Sequence, residues 1–94
     1  ELIDWQMTSR ELFNFVRSIC QPGPMATTFC KGIPVLINQV EYNENYPQYK
    51  GIPGQVIGLE HACPIVKTKD SYIKIVQYES ECKLKVGDRL QTNQ

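Results

Sequence analysis

The architecture of this chain turns on TTFCKGIPVLINQVEY, residues 27–42. β-Branched and aromatic residues crowd both of its halves, and Lys31-Gly32 stands between them. Two such runs parted by a two-residue link ending in glycine have the pattern of a β-hairpin. The expected strands run near 25–30 and 33–42. Pro34 offers no backbone N–H, so the second strand should begin at a sheet edge or a bulge.

On either side of this hairpin the texture stays that of short strands. Residues 55–62, 64–69 and 71–79 each read as a strand, the last, SYIKIVQYE, being rich in β-branched and aromatic residues. Residues 43–50 carry Pro47 among polar neighbours and read as a loop. KLKVGDRL, 83–90, closes the chain, with a turn signal at Val86-Gly87-Asp88. Upstream, residues 8–19 read as a helix. Thr8 and Glu11 have capping-box spacing, and Leu12, Phe15, Val16 and Ile19 recur on one face, widened by Phe13. Arg10, Asn14, Arg17 and Ser18 fall on the opposite side. Pro22, Gly23 and Pro24 stop the helix. Ahead of it, Ile3 and Trp5 flank Asp4 and should tuck a lead-in segment against the same core. The expected fold is mainly β: a small OB-like open β-barrel of five to six strands with one N-terminal α-helix.

The 94 residues suit a single domain, 1–94, and 41% apolar with 21% charged residues suits a globular one. Ten Lys and Arg against ten Asp and Glu give zero formal charge, which weakens any case for phosphate-driven binding. No apolar run approaches the ~20 residues that cross a bilayer, so no membrane partner is expected. Cys20, Cys30, Cys63 and Cys82 show no C-x-x-C pair. Free thiols and a cytoplasmic setting are the expectation. Glu1 in place of an initiator Met reads as a cut inside a longer protein.

GIPGQVIGL, 51–59, is the one stretch that looks like a phosphate-binding loop. It lacks the Gly-Lys-Ser/Thr close of the Walker form and the G-x-G-x-x-G spacing. Pro53-Gly54 instead suits the centre of a type II turn, so Gly51, Pro53 and Gly54 read as structural. His61 and Cys63, two apart on one expected strand, could touch as a nucleophile pair, but Glu60 points to the other face and nothing else would orient the ring. Core or surface roles are favoured over catalysis or metal binding there. Lys67 with Lys69, and Lys83 with Lys85, alternate along expected strands. Together with Lys31 and Lys74 they could follow a phosphate backbone, with Tyr72 or Tyr78 as stacking platforms, or form a solvated outer face. Tyr42, Tyr46 and Tyr49 either present a contact surface or fold back on the barrel.

Taken in order, these residues resemble a known family. Ile3-Asp4-Trp5, a helix holding Glu11 and Arg17, then Pro22-Gly23-Pro24-Met25-Ala26-Thr27-Thr28 are similar to the start of the C-terminal domain of methionyl-tRNA formyltransferases and related folate-dependent formyltransferases. Lys31-Gly32-Ile33 and Gly51-Ile52-Pro53-Gly54-Gln55-Val56 continue the likeness. The departures are Gly23 for an aromatic, Met25 for a glycine, Lys69-Asp70-Ser71 for Gly-Asp-Gly, and the ending 86–90. The resemblance implies formyl transfer from 10-formyltetrahydrofolate to an amine on a preceding catalytic domain that uses Asn-x-His and a later Asp. Leu59 stands two before His61, so no catalytic residue carries over and no cofactor is expected within 1–94. The implied role is an accessory barrel that holds a tRNA or an amino-sugar acceptor, with Lys31, Lys67, Lys69, Lys74, Lys83 and Lys85 as the contact candidates. An independent nucleic-acid-binding barrel is the alternative.

Overall fold

Helix α1, Ser9–Ile19, begins where the capping box sits: Thr8 Oγ accepts the Glu11 N–H at 3.2 Å, and Glu11 Oε1 accepts the Thr8 N–H at 3.0 Å. Two of the helix's orphan donors are thereby satisfied. A third goes across the molecule, since Asp70 Oδ1 accepts the Ser9 N–H at 3.0 Å. Leu12 and Val16 are buried, and Phe13, Phe15 and Ile19 pack partly against the core. The computed structural model describes residues 1–93.

Strands β1 (Ala26–Cys30), β2 (Ile33–Glu41), β3 (Val56–Glu60), β4 (Cys63–Lys67), β5 (Tyr72–Ser80) and β6 (Leu90–Gln91) form one antiparallel sheet in the order β3-β4-β5-β2-β1-β6. The sheet curls until its two edges meet at a bridge between Gln55 and Arg89. Val56 N–H to Asp88 O at 2.7 Å and Leu90 N–H to Gly54 O at 2.7 Å hold that seam. The result is the expected small β-barrel with α1 lying mainly on β2. Val35, Ile37, Val66, Ile73, Ile75 and Leu90 fill its interior. The lead-in joins them: Ile3 and Trp5 are buried, and Trp5 Nε1 donates to Thr28 Oγ1 at 3.0 Å.

The β1–β2 hairpin turns at Lys31 (φ 53°) and Gly32 (φ 78°), the primed geometry that matches strand twist. Pro34 sits inside a central strand, not at a sheet edge. The pairing of β2 with β5 starts only at Val35, so the absent N–H of Pro34 breaks no bond of that ladder. The expected strand 55–62 stops at Glu60, because His61 (φ 50°) and Ala62 (φ 68°) make a second primed turn without any glycine. Residues 83–89 form no strand. They run as a loop that turns at Gly87 (φ 100°), where the signal was read, and only Leu90–Gln91 rejoin the sheet.

Candidate functional site

The six candidate lysines do not line up on one face. Lys67 is 2% exposed, although the alternation with Lys69 placed it outside. Residues 47–51 fold over this end of β4, with Ser71 Oγ donating to Pro47 O at 3.0 Å. The Lys67 ammonium bonds to Thr68 O, and to Lys69 O at 3.2 Å. Burial lowers its pKa, and the nearby Asp70 carboxylate opposes that shift. The ammonium is thus covered by residues 47–51 and held by backbone carbonyls, which sets it apart from the exposed lysines. Lys69 lies beyond β4, exposed, in the turn beside the α1 N-terminus.

Lys74 holds Glu41 at 3.0 Å and Glu60 at 3.1 Å, and these two carboxylates push its pKa up. Lys31 sits at the other end of β2, 3.5 Å from Asp88 Oδ1. Lys83 and Lys85 are exposed in the β5–β6 loop rather than alternating on a strand. Asp88 accepts the Lys85 N–H at 3.0 Å, and its pKa falls through that bond and the Lys31 charge.

The aromatic candidates fold back in part. Tyr46 stacks on Tyr72 with ring centroids 4.5 Å apart, and Tyr49 meets Tyr72 edge-on at 6.3 Å. Tyr72 therefore has one face already covered. Tyr78 is not a platform either, since its hydroxyl accepts the Leu84 N–H at 3.3 Å. Tyr42 tilts against Phe13 at 6.4 Å, while Tyr49 stays exposed. His61 belongs to the turn and Cys63 begins β4, so they do not share a strand face.

The 51–54 stretch is a turn. Gln55 N–H bonds to Ile52 O at 3.0 Å around Pro53 and Gly54, and Gly54 has φ 93°, as a type II turn requires. Gly54 N–H is taken by Lys67 O at 2.8 Å. The N–H groups of Gly54 and Gln55 are thus bonded within the protein and cannot cradle an anion. Gly51 lies just ahead of the turn, with no positive φ.

Two of the grooves that border α1 are rich in charged and aromatic side chains. One is lined by Arg10, Phe13, Asn14, Arg17, Tyr42 and Glu44, the other by Thr8, Tyr49, Lys50, Lys69 and Asp70. The Arg17 guanidinium lies over the Phe13 ring, 5.4 Å from its centroid, and bonds to Asn14 Oδ1 at 3.0 Å. Among the described residues Arg10, Arg17, Lys50 and Lys69 enter no ion pair. The helical pattern puts Arg10 and Arg17 on the solvent side. Lys50 carries no local signal.

The formyl transferase C-terminal domain family matches residues 1–90. The chain belongs to this family. Methionyl-tRNA formyltransferases of Streptococcus pyogenes serotypes M49 and M1 are 37% and 36% identical to it over 73 residues, covering 78% of the chain. That stretch is 19% of each relative's length. This formyltransferase C-terminal domain contains no helix, among its described residues, long and apolar enough to cross a membrane. At Met25, where the resemblance has glycine, the backbone stands at φ 64°, in the left-handed region glycine favours.

Proposed function

We propose that this domain holds the tRNA acceptor of a cytoplasmic folate-dependent formyltransferase, on the side of the barrel that carries α1, and takes no part in the chemistry. Formyl transfer from 10-formyltetrahydrofolate would then occur on a separate N-terminal domain. The names of the curated relatives support this substrate class. The carrying observation is the set Arg10, Arg17, Lys50 and Lys69, unpaired and interleaved with Phe13, Tyr42 and Tyr49 along the two grooves. Cations that follow phosphates beside aromatic rings suit single-stranded nucleic acid, such as an acceptor end. Zero net charge limits the attraction to this surface.

Titration of the chain with labelled tRNA across a salt series tests the reading. Four phosphate contacts give a log–log slope of about −3. Lys50→Gln and Arg10→Gln should each weaken binding and shrink that slope by about 1. Lys83→Gln with Lys85→Gln should leave both unchanged. If that lysine pair dominates, the surface is misplaced. If no salt-dependent binding occurs, the RNA reading fails.

A further inference from the structure

Three side chains from distant parts of the sequence converge at the seam of the barrel. Cys30 ends β1, Cys82 follows β5 by two residues, and Asp88 precedes β6. Their donor atoms all lie within 4.8 Å of one another. We propose that Cys30, Cys82 and Asp88 form a three-ligand site for a thiophilic divalent cation of the zinc class.

The two sulfurs are 3.5 Å apart. A disulfide bond measures about 2.05 Å, so these sulfurs are not bonded. Two thiolates bound at about 2.3 Å to one tetrahedral zinc stand roughly 3.8 Å apart. Cys82 Sγ donates to Cys30 Sγ across this gap, so the pair stands in direct thiol contact and needs to open by only about 0.3 Å to seat one ion, with the Asp88 carboxylate within 4.8 Å as the third ligand. Each ligand is braced. Cys30 pairs with Ile33 on one side and Leu90 on the other. Cys82 N–H donates to Ser80 Oγ at 3.0 Å. Asp88 accepts the Lys85 N–H through Oδ2, leaving Oδ1 toward Lys31.

Charge balances as well. Two thiolates and a carboxylate around a divalent cation sum to −1, and Lys31 Nζ, 3.5 Å from Asp88 Oδ1, supplies the compensating +1. On binding, each thiol loses its proton to solvent and its sulfur lone pair enters a metal–sulfur bond, with no change in oxidation state. Three protein ligands leave one tetrahedral position for solvent or an exogenous ligand. The cation would tie the β1–β2 hairpin to the β5–β6 loop.

The test uses the reduced, metal-free chain titrated with Co2+, then Zn2+. One equivalent of Co2+ should bind with a thiolate-to-metal charge-transfer absorption, and Zn2+ should displace it. Cys82→Ser should abolish that absorption. Asp88→Asn should keep it while weakening affinity at least about tenfold. Cys20→Ser and Cys63→Ser should match the parent. Because Cys30 is fully buried and its variant could misfold, the Cys82 variant carries a second readout: Zn2+ should raise the Tm of the parent and not of Cys82→Ser. Absence of the absorption, its persistence in Cys82→Ser, its loss in Cys20→Ser, or an equal Zn2+ effect on both melting points would each overturn the site.

Discussion

Replacing Gly54 by alanine tests the closure of the barrel directly. Two costs arise at this position, and the structure separates them. The backbone at φ 93° disfavours any side chain, by about 1 kcal/mol. An added Cβ would also stand 2.3 Å from the backbone oxygen of Leu90. Ordinary contact begins at 3.4 Å, so the turn and β6 must part by about 1.1 Å, the difference between the two distances. The bond from Leu90 N–H to Gly54 O, now 2.7 Å, lies on the same contact, and a shift of that size takes it beyond hydrogen-bonding range. Gly54 N–H to Lys67 O is strained with it. Losing the Leu90 bond costs about 1 kcal/mol net and straining the Lys67 bond costs up to about 1 more, so Gly54→Ala should destabilise by about 2–3 kcal/mol. Equilibrium urea denaturation reads this as a midpoint lowered by about 1–3 M, for a slope of about 1–3 kcal/mol/M. Two controls divide the total. Gly32→Ala has φ 78° but nothing within 4 Å of the added carbon, and should lose only about 1 kcal/mol. Gly58→Ala has neither feature and should stay within about 0.5 kcal/mol of the parent. If Gly54→Ala loses no more than Gly32→Ala, the seam between Gly54 and Leu90 is not closed as described.

Lys67→Met keeps the alkyl stem but leaves the Thr68 and Lys69 carbonyls without their donor; it should lose about 1–3 kcal/mol in denaturation while tRNA affinity and its salt slope stay put. A weakened salt slope would return Lys67 to the binding surface. Glu11 has its pKa lowered, first by the Thr8 N–H and then by the Thr8 hydroxyl. A depressed carboxylate stabilises above its unfolded range, near pH 4, and that contribution fades as pH falls through the lower folded value. The gap in stability between the parent and Glu11→Gln should therefore shrink on acidification from neutral pH, and a gap independent of pH would remove the charged capping box.

What the sequence made legible was local. The capping box, the Lys31-Gly32 hairpin and the Pro53-Gly54 turn each depend on residues within four positions of one another, and all three stand where they were read. The His61-Ala62 turn escaped because it adopts φ > 0 without glycine or asparagine, against the steric preference that makes such turns visible. There the register of β3 and β4 outweighs the local cost, and the expected strand 55–62 overruns β3 by one residue at its start and two at its end.

Lys67 shows where local reading must stop. Its alternation with Pro64 and Val66 does place it on the outer face of β4, as the pattern required. Whether an outer face meets water depends on what covers it, and the cover is a loop that begins twenty residues earlier. Ser71 ties that loop down through Pro47, and Tyr49 N–H reaches Asp70 O at 3.4 Å. The cation then has to be satisfied by backbone carbonyls instead of a ligand, as any buried charge must be. Arg10, Arg17, Lys50 and Lys69 are the converse case. Local pattern alone makes them ordinary solvated charges; they become a surface only because α1 and the 43–50 loop bring them beside Tyr42 and Tyr49. Cys30 and Cys82, 52 positions apart, meet for the same reason. In a barrel whose edges join at one bridge, the chemistry resides in what the closure brings together, and no window of sequence shorter than the closure itself contains it.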